Sequence, residues 1–276
     1  MKNNQLQRIK EIYNLAVHGE VTPMDLDGMS LHAKCSAIYE VVDALRQKLP
    51  QSKYGTARHT RDALSVIVDS FSASDALIHL QDQRRSYFTS AMNSNDYSYH
   101  RDVIGNWQDI EDDALLETTI LDISKLHAKT YLLGMADVIP TKYAFTNTPP
   151  DMLKLNIRNL GGFTGNLKEN RGTIRLEKGG EAQFRNPAFI LNTVHHETTH
   201  AIQFALASAF HHGQIRHDHL LYDDARMFHA LEVNKAIVPS GLIKETERHA
   251  YEHQVHEVLA NSEGEALSAI LLDLSR

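Results

Sequence analysis

The 276-residue chain reads as an α+β protein: a mainly helical portion over residues 1–137, then a compact region over 138–276 with a small mixed β-sheet and two helices that carry metal ligands. Three observations lead there. Apolar residues recur at three- and four-residue spacing through the first half, the period of amphipathic helices. Short runs with strand chemistry, bounded by proline, glycine and asparagine, are confined to a stretch after Val138. An unbroken helical stretch then contains His196-Glu197-Thr198-Thr199-His200, an H-E-x-x-H pattern.

The first half predicts helices over Leu6–Val17, Leu31–Leu49, Arg61–Leu80 and Ile110–Leu133, separated by Pro50–Gly55 and by the serine- and asparagine-containing Ser90–Tyr99. Glu111-Asp112-Asp113 suits a charged first helical turn, where the helix dipole favours carboxylates. Ile139-Pro140-Thr141 and Asn147-Thr148-Pro149-Pro150 are punctuation that helices avoid. Around them lie expected strands at Lys142–Phe145, Leu153–Ile157, Gly162–Leu167 and Thr173–Glu177, the last two joined by a turn at Lys168–Gly172. Asn186 then offers an N-cap and Pro187 the first helical position, with Ala188 to Phe210 free of breakers and Gly213 as the stop. A His- and Asp-rich loop (His211–Asp218) precedes a helix over Asp223–Ala236. Pro239-Ser240-Gly241 breaks that helix. Ser240 can cap a last long helix to about Asn261, and a separate short helix is expected near Gly264–Leu274.

Composition bounds the function. A formal charge of −7 and a pI near 6.2 argue against a nucleic-acid partner. Cys35 is the single cysteine, which excludes an intrachain disulfide and suits a reducing compartment. No apolar run approaches the roughly 20 residues of a membrane-spanning helix, and the first 20 residues lack the apolar core of a signal peptide. The expectation is a cytoplasmic protein with no membrane partner.

The H-E-x-x-H segment carries chemistry because residues four apart on a helix share a face. His196 and His200 can therefore bind one metal ion, and Glu197 stands where a carboxylate can take a proton from an activated water. Catalytic zinc takes three protein ligands and keeps one position open. Leu206 and Gln203 occupy the places where the metzincin pattern has its third histidine and its glycine, so that pattern is absent. A glutamate from a later helix is the remaining option, with Glu232, Glu245, Glu247, Glu252 and Glu257 as candidates. In the helix after Ser240, Ile243, Glu247, Ala250, Tyr251, Gln254 and Val258 fall on one stripe. Glu247 is the acid on it, and a carboxylate in an apolar stripe is costly unless something pairs with it. That argument favours Glu247 as third ligand, with Glu252 second. His195 points roughly 100° from His196 and is not expected to be a ligand.

Thr193 to Ile202 resembles the extended signature of the zincin metallopeptidases, in their glutamate-ligand (gluzincin, thermolysin-like) branch. The similarity runs from about Leu153 to Ala260. It implies a Zn2+ cofactor, a protein or peptide substrate and hydrolysis of peptide bonds, with Glu197 as general base. It also implies that Glu247 and Tyr251 match the family's glutamate and the polar residue four positions later, although Tyr251 stands where that branch has aspartate. The gap from His200 to Glu247 is longer than usual, as an insertion at Asp223–Ala236 would explain. By the same resemblance, an edge strand such as Thr173–Glu177 would pair with extended substrate. Tyr222, Tyr251, His253 or His219 would steady the developing oxyanion. The competing expectation is a helical protein-interaction module whose metal site is structural or vestigial.

Overall fold

The computed structural model describes residues 75–132, 141–146, 161–167, 171–177, 184–222, 224–226, 228–229 and 255–276. The expected helices before Leu80, the strand at Leu153–Ile157, most of the Asp223–Ala236 helix and the boundary near 137/138 lie outside those residues, apart from the helical residues 75–80. Backbone contacts divide the chain into two units, 81–205 with 259–276, and 1–80 with 206–258. Three helices, at 75–92, 187–211 and 255–274, run unbroken through the dividing points.

Helix α1 (Asp75–Met92) is followed by a 3₁₀ turn at Asn95–Tyr97, α2 (Ser98–Gly105) and α3 (Asp113–Tyr131). The polar stretch Ser90–Tyr99 is thus only partly a separator. Its first three residues finish α1 and its last two open α2, a helix that the apolar spacing does not announce. The acidic run before α3 behaves as its chemistry dictates. The Asp112 carboxylate accepts from the amides of Ala114 and Leu115 at 2.9 and 3.3 Å, satisfying donors that a helix start leaves free. Leu116, Ile120, Ile123 and Tyr131 then bury one stripe of α3. Trp107, 1% exposed, anchors the turn between α2 and α3 by donating from its indole to the Phe184 carbonyl at 3.0 Å.

Three strands follow: β1 (Thr141–Thr146), β2 (Gly161–Asn166) and β3 (Arg171–Glu177). They form one mixed sheet in the order β1-β3-β2, with β3 parallel to β1 and antiparallel to β2. The α+β class and the small mixed sheet agree with the expectation. The role given to Thr173–Glu177 does not. β3 is the central strand, its backbone paired on both sides, so it has no free edge to offer a substrate. The expected turn is also shorter, because Gly172 already pairs with Gly165. That glycine pair has a packing reason. A Cβ on Gly165 would collide with the Phe204 ring, and one on Gly172 would meet the Phe163 ring at 2.7 Å. The paired glycines make room for two aromatic rings that contact each other at 5.3 Å.

Helix α4 (Pro187–His211) starts and stops as expected. The Phe189 amide lies 3.3 Å from the Asn186 carboxamide oxygen, Pro187 fills the first helical position, and Gly213 takes φ 64° just past the end. From Val194 to Ala209 nearly every side chain is buried, which marks α4 as a helix surrounded by protein. Helix α5 (Val255–Leu274) corrects another expectation. Residues 255–274 form one helix, with no break between Asn261 and Gly264. Gly264 is a point of close approach: a Cβ there would stand 3.0 Å from the Asn192 carbonyl oxygen and 3.4 Å from the His196 Cβ.

Candidate metal centre

His196 and His200 sit mid-way along α4, where no fraying disturbs their four-residue spacing. Their Nε2 atoms face each other at 3.1 Å, with the rings edge-on at 4.7 Å between centroids. Imidazole nitrogens bound to one tetrahedral zinc at about 2.0–2.1 Å stand roughly 3.3 Å apart, so the pair is set for a shared ion. His200 also has a partner on its other nitrogen. Its Nδ1 lies 3.0 Å from Oε1 of Gln203, which is 6% exposed.

The third donor is Glu257, on the first turn of α5. One ligand atom from each of His196, His200 and Glu257 can be chosen so that all lie within 4.8 Å of one another, and this is the only such group of three among the described residues. Helix geometry accounts for the facing of Glu257. It stands seven residues before Gly264, which is two turns less about 20°, so both share the stripe that continues to Leu271. Gly264 holds that stripe against His196 and Asn192. Glu257 is 4% exposed, with the imidazole of His256 at 3.6 Å from one oxygen. Glu197 is also buried, at 7% exposure, and follows the first ligand on α4.

Two imidazole nitrogens and a buried carboxylate are the donor set that zinc takes in catalytic sites, so these residues fit that ion. Glu247, Tyr251, Glu252 and His253 lie outside the described residues. Of the five acids open in the sequence, Glu257 is the one among the described residues, and it lies beside the histidines. The seven-residue spacing from Glu257 to Gly264 was a signal available for it, because a glycine inside a helix can mark where another element approaches closely. Of the oxyanion candidates, Tyr222 packs against Phe210 at 5.5 Å, and the His219 Nδ1 accepts from the Leu221 amide at 3.1 Å.

The neighbouring histidine belongs elsewhere. His195 is fully buried, its Nδ1 3.1 Å from the Nδ1 of His127 on α3, with the Phe88 ring edge-on to both. Burial pushes the His195 pKa down to about 3 and that of His127 well below the ordinary histidine value, with the neighbouring His195 and Arg84 adding to the effect on His127. Both rings are therefore neutral, one donating its Nδ1 proton to the other. Next to them, Tyr131 donates to Glu263, and Arg85 makes a two-pronged ion pair with the same carboxylate at 2.8 and 3.2 Å. Burial, then Glu263, raises the Tyr131 pKa, keeping the phenol protonated. This network was not legible in the sequence, because its hydrogen-bonded partners lie 68 to 178 residues apart.

Comparison with protein-family models, curated proteins and solved structures returned no match. Among the described residues no helix is long and apolar enough to cross a membrane.

Proposed function

We propose that this chain is a zinc-dependent metallopeptidase that hydrolyses peptide bonds in a protein or peptide substrate. The observation that carries the reading is the convergence of His196, His200 and Glu257, with Glu197 beside the first ligand on the same helix. His196, His200 and Glu257 would hold the metal. A bound zinc ion supplies Lewis acidity, lowering the pKa of water and polarising a carbonyl.

The chain's own residues supply the rest. Glu197 accepts a proton from the attacking water and passes it to the leaving amine, so that the departing group leaves neutral. Within the described sheet, the backbone that binds extended substrate would come from an outer strand, β1 or β2, because β3 is paired on both sides.

The test is Glu197→Gln. The variant should bind zinc as the wild type does and lose at least 100-fold in peptide hydrolysis, the scale of a missing proton-transfer group. Unchanged hydrolysis by Glu197→Gln would remove the enzymatic reading. A zinc-binding wild type that cleaves no peptide in a broad library would instead support an interaction module with a structural metal.

A further inference from the structure

We propose that Gln203 is a positioning residue for the metal centre, fixing His200 in the one tautomer that can bind the ion. This rests on the metal reading above and concerns a residue that no part of the H-E-x-x-H pattern contains. Gln203 lies one turn beyond His200 on α4, and its Oε1 is 3.0 Å from the His200 Nδ1. An amide oxygen can only accept a hydrogen bond, so the imidazole proton must sit on Nδ1. The lone pair is then on Nε2, the atom that faces the His196 Nε2 at 3.1 Å. Burial of Gln203 makes the restraint effective, because at 6% exposure water competes poorly for the amide.

The amide has two ends, and they do opposite things. With the oxygen toward His200, the ring is ready to ligate. With the nitrogen toward it, an N–H would donate to Nδ1 and drive the proton to Nε2, where it blocks the metal. An acceptor held behind a ligand histidine also raises its basicity and reduces the ring rotation lost on binding. Removing such a partner commonly weakens metal affinity 10–100-fold. The contact is local to the helix, an i,i+3 pair, so both groups are carried by α4 itself.

Two substitutions separate positioning from packing. Gln203→Met keeps length and burial but has no strong acceptor. Gln203→Glu keeps the shape and can only accept when ionised. Zinc affinity is read by competition with a chromogenic chelator, and the fold of each metal-free variant by thermal melting. We expect Gln203→Met to bind zinc 10–100-fold more weakly than wild type. Gln203→Glu should bind it at least as tightly as wild type, with the two variants melting at similar temperatures without metal. Wild-type zinc affinity in Gln203→Met, or equal weakening in both variants, would overturn the assignment of Gln203 and leave the three ligands standing. A wild-type chain that takes up no zinc would remove the metal reading itself, and this inference with it.

Discussion

His195 and His196 are adjacent in the sequence, yet each pairs with another histidine in a different world. The His195 Nδ1 meets His127 at 3.1 Å, and the His196 Nε2 meets His200 at the same distance. The first pair is fully buried among Phe88 and Tyr131, and neither of its Nε2 atoms has a hydrogen-bond partner among the described residues. The second pair is partly exposed, backed by Gln203 and faced by the Glu257 carboxylate. Two close imidazoles do not make a metal site. A third charged donor and access for water distinguish the side that can do chemistry from the side that holds the helix in place.

The strongest way to break the comparison is to exchange the roles. His200→Ala should abolish stoichiometric zinc binding, whereas His127→Phe should leave it intact, both read by elemental analysis of the purified protein. Zinc lost equally from both variants would mean that the two sides of α4 are not separable. The next largest effect concerns the two buried acids of α5. Glu263→Ala removes the partner of Arg85 and Tyr131; breaking a fully buried ion pair costs about 3–5 kcal/mol, and the partial exposure of Arg85 puts this loss below that. Urea unfolding of the metal-free chain should show that loss. Glu257→Gln should show a much smaller loss in the same assay and a large one in zinc affinity.

Acid should destabilise the metal-free chain through its sealed side. His127 and His195 have native pKa values below the ordinary value of about 6.5, so the unfolded chain binds protons that the native chain refuses. Their contribution is complete above pH 6.5 and is lost as the pH falls below it, for His195 toward about 3. The metal-free chain should therefore lose stability steadily as the pH falls below about 6.5. Urea titrations between pH 7 and 5 on the wild type and on a chain carrying Phe at both positions measure the difference. A slope the same in both would show that the pair is not held neutral. The smallest effect is Gly264→Ala, where the new Cβ meets the Asn192 carbonyl and the His196 Cβ. Overpacking there should cost about 1–3 kcal/mol. It should also weaken zinc binding by displacing α5, while a neutral Gly264→Ala would show that the approach has slack.

What was legible in the sequence was local. Asn186, Pro187 and Gly213 announce the limits of α4 because capping chemistry acts within a few residues. Asp112 announces α3 in the same way. The four-residue spacing of His196 and His200 places them on one face without any knowledge of the fold. What was not legible depends on neighbours distant in the chain. Gly264 carries the same signal whether it breaks a helix or admits another one, and only the position of Asn192 and His196 decides. Strand order is likewise non-local, so the central place of β3 could not be read from its alternation. The facing argument that favoured Glu247 treats the helix as a stripe against an unspecified partner. Glu247 lies outside the described residues; what the structure adds is Glu257, which shares a helix stripe with Gly264, the point of close approach to His196.

The central claim is that His196, His200 and Glu257 bind one catalytic metal ion. The zinc content of purified wild-type protein, measured beside Glu257→Ala and Glu247→Ala, tests it most directly. One zinc per chain in the wild type and in Glu247→Ala, and none in Glu257→Ala, is the result this account predicts. A wild type without zinc, or full zinc retained by Glu257→Ala, would contradict it.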